Sequence, residues 1–374
     1  MIDPHVHCRD GSQYKKETIA HALSVAYDAG IYAIFDMPNT DPPITTRERV
    51  VERLNMAKIV GSPVFYGLHA GITADPEQIK KAVGCYREFF QRPKSYDSCG
   101  NVAVVGLKMY AGKSVGDLAV VKEEEQQRVY KTLADEGYDG VLVVHCEKES
   151  LLKPKLWKAS NPASHSRARP PRAEIESVRD QIRFATEYNF PGNLHIAHVS
   201  VPESVELVKS AKQEGEIKIS CGVTPHHLIL NTKMQSELKP RKGLLYKVNP
   251  PLRSKSYCKK LMEYLRNGDI DWIETDHAPH RFAEKVRDPF ISGLPGLHFV
   301  PHFLRYLKKI GVSDSQIFDL TFENANRGYK LYFNSIDLDR KLNLAKEYRW
   351  TDTYGSVRER WNSKNKKLGK QRAV

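Results

Sequence analysis

Two histidines one residue apart, His5 and His7, stand at the end of a short apolar run near the start of the chain. The period of two in an extended strand points both imidazoles to the same side. Further along, His145 and His198 each end another such run, Asp276 follows a fourth at once, and Lys108 lies inside Val-Val-Gly-Leu-Lys-Met-Tyr. Singly, each has an ordinary explanation: a hydrogen-bonded rim histidine, a snorkelling lysine, an aspartate capping the segment after it. Recurring at the matching ends of several strands, they read as a donor set. Neutral imidazoles and a carboxylate suit Zn²⁺ or a similar divalent ion, whereas an ammonium beside them does not. Reaction of the Lys108 amine with CO₂ would make it a carbamate, an anion whose two oxygens can bridge two metals about 3.5–4 Å apart.

Such residues need a fold that gathers strand ends. Eight runs read as strands: Ile2–His7, Ile31–Met37, Pro63–Ala70, Val102–Tyr110, Gly140–His145, Asn193–His198, Glu216–Gly222 and Asp269–Thr275. Helical spacing recurs between them at Thr18–Ala29, Arg47–Val60, Pro76–Phe90, Val120–Glu136, Ala173–Tyr188, Pro202–Glu214 and Lys255–Arg266. This alternation predicts an α/β fold, a closed (β/α)8 barrel of the TIM type, whose active site is built at the C-terminal ends of the strands. Gln91–Gly100 and Lys155–Arg172, rich in Pro, Ser and basic residues, are expected as surface loops near the barrel's mouth. The alternation stops after Leu331, so residues 1–331 are expected to form the barrel and 332–374 a short irregular C-terminal appendage.

Composition sets the outer bounds. With 374 residues, 40% apolar and 28% charged, the chain can bury a sizeable core, which excludes global disorder. No window approaches the ~18 uninterrupted apolar residues of a membrane span. The opening Met-Ile-Asp-Pro-His lacks the features of a signal peptide, so a cytoplasmic protein is expected. The six cysteines form no C-x-x-C pair and are expected as reduced thiols. A net charge of +13 hints at a polyanion, but residues 358–374 hold seven Lys or Arg against one Glu. A basic tail with Trp361 as its one aromatic residue reads as a solvated end, not a nucleic-acid reader.

The motifs as a set resemble those of the amidohydrolase superfamily and, within it, the dihydroorotase family of cyclic amidohydrolases. They are Asp3-Pro-His-Val-His-Cys-Arg-Asp10, Asp36-Met-Pro-Asn-Thr40, Gly106-Leu-Lys-Met-Tyr110, Val144-His-Cys-Glu147, His195-Ile-Ala-His-Val-Ser200, Thr224-Pro-His-His-Leu228, Val248-Asn-Pro-Pro-Leu-Arg253, Thr275-Asp-His-Ala-Pro-His280 and Gly293-Leu-Pro-Gly-Leu297. They span the chain to about Gly328 in family order. The resemblance implies that His5, His7 and Asp276 hold one metal, His145 and His198 a second, and N-carboxylated Lys108 bridges both. It implies two divalent ions, zinc being the expected kind, and a small-molecule substrate interconverted between N-carbamoyl-L-aspartate and L-dihydroorotate in pyrimidine biosynthesis. A hydroxide shared by the metals would attack the ring carbonyl, with Asp276 as catalytic proton shuttle. The substrate carboxylate would meet Arg9, Asn39 and His280, beside His7. Asn249 and the Ser292–Gly293 backbone would meet the ring.

His226 and His227 are expected to be structural, His277 to pack locally, and Lys113 and Ser114 to belong to a loop over the substrate. Many members of the family carry a small β domain built partly from residues ahead of the His-x-His strand. Here that domain is expected to be missing or reduced, and a homodimer is implied by the family alone. Two alternatives differ in class. A hydantoinase or allantoinase would share the metals but has no use for a buried Arg9 without a substrate anion. A non-catalytic scaffold would be expected to have lost ligands, whereas all six positions are filled.

Overall fold

The computed structural model describes residues 1–90, 101–114 and 118–333. Eight strands follow in chain order: β1 (Ile2–Val6), β2 (Ala33–Asp36), β3 (Phe65–Gly71), β4 (Val102–Ala111), β5 (Val141–Cys146), β6 (Asn193–Ile196), β7 (Lys218–Val223) and β8 (Trp272–Ile273). Each pairs in parallel with the next. The residues after β8 close the ring, since Val6 bridges His277 and the His7 N–H donates to the His277 carbonyl at 2.8 Å. This is the (β/α)8 barrel expected from the alternation.

All seven expected helices are present within a few residues, four of them beginning at a side-chain cap. The Thr18, Thr46 and Asp75 side chains accept the His21, Arg49 and Glu77 backbone N–H groups, and Pro76 follows its cap where a missing N–H costs nothing. The structure differs from expectation in three places. β8 is cut to two residues, because the chain turns at once to place Glu274 and Asp276. Lys155–Arg172 is no open loop: it folds into turns at Pro154–Leu156, Pro162–Ser164 and His165–Ala168, and a helix starts at Pro171. A further amphipathic helix, Val300–Lys309, follows β8. Gln91–Gly100, Cys99 and the basic tail lie outside the described residues, as does the appendage beyond Phe333. The other five cysteines are free and buried. Among the described residues no helix is long and apolar enough to cross a membrane.

The core has two layers. Ile34, Leu68, Val104, Leu107, Met109 and Val144 face the helices, whereas Ile2, Phe35, Phe65, Ala103, Val105, Val143 and Trp272 fill the barrel. Two register shifts move the strand ends between layers. Along β4, Leu68 pairs with Val104 but His69 pairs with Gly106, so one extra residue is inserted. Along β1, Asp3 pairs with Ile34 and Val6 with Asp36, again one residue too many. An inserted residue inverts the alternation beyond it. Ala103 and Val105 therefore face inward with Lys108, while Leu107 and Met109 face the helices; Ile2 faces inward with His5 and His7.

Candidate active site

His5, His7 and Asp276 each offer a donor atom, all within 4.8 Å of one another. His7 Nε2 lies 3.1 Å and His5 Nε2 3.6 Å from Asp276 Oδ1. His145 Nδ1 lies 3.3 Å from His198 Nε2. The His5 and His198 rings, 5.0 Å between centroids, join the two groups. Lys108 is fully buried, its Nζ without a hydrogen-bond partner and 4.9 Å from the Tyr110 ring centroid. Arg9, His198 and Asp276 all have left-handed backbones, at φ of 51°, 40° and 46°. Non-glycine residues adopt that conformation at a cost, and such strain concentrates at sites that must aim a side chain.

Protonation states suit metal binding. Burial, with the Lys108 charge behind it, lowers His5 to about 4, and burial also lowers His7, His145 and His198. All four are therefore neutral near pH 7 with lone pairs available. The hydrogen bonds fix which nitrogen is free. His7 Nδ1 is 2.7 Å from Asn39 Oδ1 and His145 Nε2 is 3.0 Å from Glu147, so the opposite nitrogens face the site. Glu274 stands 3.7 Å from His5 Nδ1, bonds His195 Nε2 at 3.1 Å and accepts the His198 N–H. Burial pushes its carboxyl up, but His195 and His5 outweigh that and hold it well below the usual range. Such outer partners orient metal-binding imidazoles. Burial lowers the Lys108 amine to about 8, so an appreciable neutral fraction exists for reaction with CO₂. The donors thus fit one divalent ion at His5, His7 and Asp276. The His145–His198 pair fits a second once a Lys108 carbamate adds an oxygen.

His5, His7, His145, His198 and Asp276 open onto a cavity that also has Arg9, Asn39, Tyr110, Ser114, Asn249, Ser292 and Gly293 in its walls. Arg9 is buried and, among the described residues, makes no ion pair; its Nη2 meets His280 Nε2 at 3.1 Å, its Nε reaches the Pro279 carbonyl, and its Nη1 has no partner there. Asp10 is not its counter-ion, because it accepts from the Gly11 and Ile19 backbone N–H groups. His280 stands behind Arg9, not in the cavity wall. Gly293 must be glycine, since at φ 145° an added Cβ would lie 2.5 Å from the Ala278 carbonyl. Its N–H already donates to the Lys247 carbonyl at 2.9 Å. Lys113 packs outside the cavity, its N–H donating to Glu149. His227 is held by Thr224 and the Pro250 carbonyl, and His277 by Glu17 and the Gly296 N–H.

Sequence reasoning gave no role to Glu274, Glu147, Tyr110 or His165. Three of these carried a signal: Tyr110 follows Lys108 and Glu147 follows His145 at a strand's period, and Glu274 precedes Asp276 at the same spacing. His165 acts only through tertiary neighbours.

No family model matches the chain. It is 31% identical over 306 residues to the dihydroorotase of Methanosphaera stadtmanae, covering 79% of this chain and 62% of that protein. It is 31% identical over 329 residues to the dihydroorotase of Halobacterium salinarum, covering 87% and 70%. The L-hydantoinase (dihydropyrimidinase) structure from Arthrobacter aurescens superposes with a TM-score of 0.75 at 25% identity, covering 88% of this chain and 71% of that one. The chain thus spans about two thirds of the length of these relatives.

Proposed function

The chain belongs to the dihydroorotase family of the amidohydrolase superfamily, and from that premise we propose that its barrel interconverts N-carbamoyl-L-aspartate and L-dihydroorotate, a step of pyrimidine biosynthesis. The observation that carries this reading is Arg9. A buried guanidinium with an unpaired Nη1 and, among the described residues, no carboxylate within ion-pair distance is costly unless the ligand supplies the anion. Dihydroorotate carries a carboxylate, whereas hydantoins and dihydropyrimidines do not.

Two divalent ions, zinc being the expected kind, held by His5, His7 and Asp276, by His145 and His198, and by carboxylated Lys108 between them, would polarise the ring carbonyl and lower the pKa of the attacking water. The chain's own groups do the rest. Arg9 Nη1 binds the substrate carboxylate, with His280 holding the guanidinium from behind. Asn39 keeps the His7 ring turned so that Nε2 faces Asp276. Burial raises the Asp276 carboxyl above its ordinary value, which favours its taking a proton from water and returning it to the amide nitrogen as the C–N bond breaks. Ring closure runs the same proton movements in reverse.

The test is hydrolysis of dihydroorotate beside hydantoin and allantoin on protein whose metal content is measured in the same preparation. Turnover confined to dihydroorotate, lost on chelation and in Lys108→Ala, is expected. Turnover of hydantoin or allantoin in its place would refute the assignment.

A further inference from the structure

Asn249 is where two hydrogen-bond chains of fixed direction meet. On one side, His165 Nε2 lies 3.1 Å from the Val248 carbonyl oxygen and 2.8 Å from Asn249 Oδ1. A carbonyl only accepts, so Nε2 carries the proton and donates. Burial, with the Lys247 charge nearby, pushes the ring down to about 3, so it stays neutral with a single N–H. On the other side, Lys247 Nζ donates to the Phe290 carbonyl at 2.8 Å and to Ser292 Oγ at 3.0 Å. An ammonium has no lone pair, so the Ser292 hydroxyl accepts from it and sends its own proton to Asn249 Oδ1 at 3.1 Å. Lys285 secures the same wall by donating to the Lys247 and Gly293 carbonyls.

Both chains end on one oxygen and occupy its two lone pairs. Asn249 lines the cavity, and its Nδ2 makes no hydrogen bond among the described residues. The amide therefore offers the cavity only N–H donors. We propose that His165, Lys247 and Ser292 are positioning residues that lock Asn249 as a donor, so that the site selects a cyclic ureide through a carbonyl oxygen.

This rests on the functional reading above, which also says which oxygen is meant. The carboxylate of dihydroorotate goes to Arg9 and the attacked amide carbonyl to the metal-binding residues. The carbonyl between the two ring nitrogens is the acceptor that remains. His165 belongs to the turns between β5 and β6, so that insertion is part of the specificity apparatus.

The experiment compares dihydroorotate with its 2-thio analogue, in which sulfur, a weaker acceptor, replaces that oxygen. Steady-state kinetics and calorimetric binding are measured on metal-loaded wild type, His165→Leu, His165→Gln and Lys247→Met. One neutral hydrogen bond predicts an oxo-over-thio preference of roughly three- to tenfold in wild type. The preference should fall towards one in His165→Leu and Lys247→Met, as a rise in KM for dihydroorotate with kcat within about twofold, while metal content stays unchanged. His165→Gln, which can place an amide N–H at the same point, should keep it. Ser292→Ala, which deletes the second chain by one atom, replaces any variant that does not fold.

A wild-type preference that persists in folded His165→Leu and Ser292→Ala overturns the proposal alone, as does wild type that binds both rings equally. Binding with the expected preference but no turnover of dihydroorotate overturns the functional reading and leaves this one standing. Wild type that binds neither ring overturns both.

Discussion

Lys108→Met separates the two states the site can occupy. Lys108 is fully buried and its Nζ has no hydrogen-bond partner among the described residues. Mutational data put the cost of such a group at about 1–3 kcal/mol. Burial displaces its pKa from 10.5 to about 8, which corresponds to about 3 kcal/mol against the charged form. Methionine keeps a flexible chain of similar length and removes the amine. Metal-free Lys108→Met should therefore exceed metal-free wild type by about 1–3 kcal/mol at pH 7, a rise in Tm of roughly 1–4 °C for a chain of this length. The folded pKa lies below the unfolded one, so between pH 8 and 10.5 the folded state binds fewer protons and wild-type stability rises with pH. The advantage of the variant should accordingly fade across that window. Zinc should reverse the order: a ligand at a hundred times its Kd adds about 2.7 kcal/mol, and the variant, lacking the bridging group, should gain much less. Thermal melts of chelator-treated and zinc-loaded protein at pH 7 and pH 10, with metal counted per chain, make the assay. A metal-free variant less stable than wild type at pH 7, or a variant that retains both metals, would refute the reasoning.

Glu274→Gln removes the carboxylate that His5 and His195 face, and should weaken zinc affinity by about 10- to 100-fold in competition with a chromophoric chelator. An unchanged affinity would mean that the carboxylate does not orient these rings. Arg9→Gln should raise KM for dihydroorotate by roughly 10- to 100-fold, the worth of one charge-assisted hydrogen bond; a KM unmoved in folded, metal-loaded protein would take the substrate carboxylate away from Arg9. Burial raises the Glu17 carboxyl, but hydrogen bonds from His21 and His277 outweigh it and bring it down from 4.5 to about 2. Its contribution is thus complete above pH 4.5 and lost as pH falls towards 2, so Glu17→Gln should cost up to about 3 kcal/mol in urea unfolding at pH 7. A gap to wild type that stays constant down to pH 3 would contradict that origin.

The barrel was legible because its signals are local and repeated. Apolar runs of strand length alternate with segments of helical spacing, and each run calls for a partner on both faces. The polar residues at the ends of those runs were equally visible, since a histidine, lysine or aspartate in an apolar strand stands out whatever the register. Less visible was anything that depends on distant neighbours. His165 looked like part of a basic surface loop, and only the folding of that loop against Asn249 brings it to the cavity. Gly293 was expected to offer its backbone to the ring, yet its N–H is spent on the Lys247 carbonyl.

Sequence alone determined which chemistry is available: neutral imidazoles, carboxylates and one lysine set among residues that must be buried. Which way they point was decided by tertiary structure. Strict alternation from Ala103 and Val105 along β4 would carry Leu107 and Met109 into the barrel and send Lys108 to the helices. The inserted residue between Val104 and Gly106 inverts this, and a second insertion in β1 does the same for His5 and His7. A strand's facing is set by its ladder with its neighbours, and a one-residue bulge costs little locally while exchanging its two faces. No local pattern records that choice, because it belongs to the pairing of β1 with β2 and of β3 with β4.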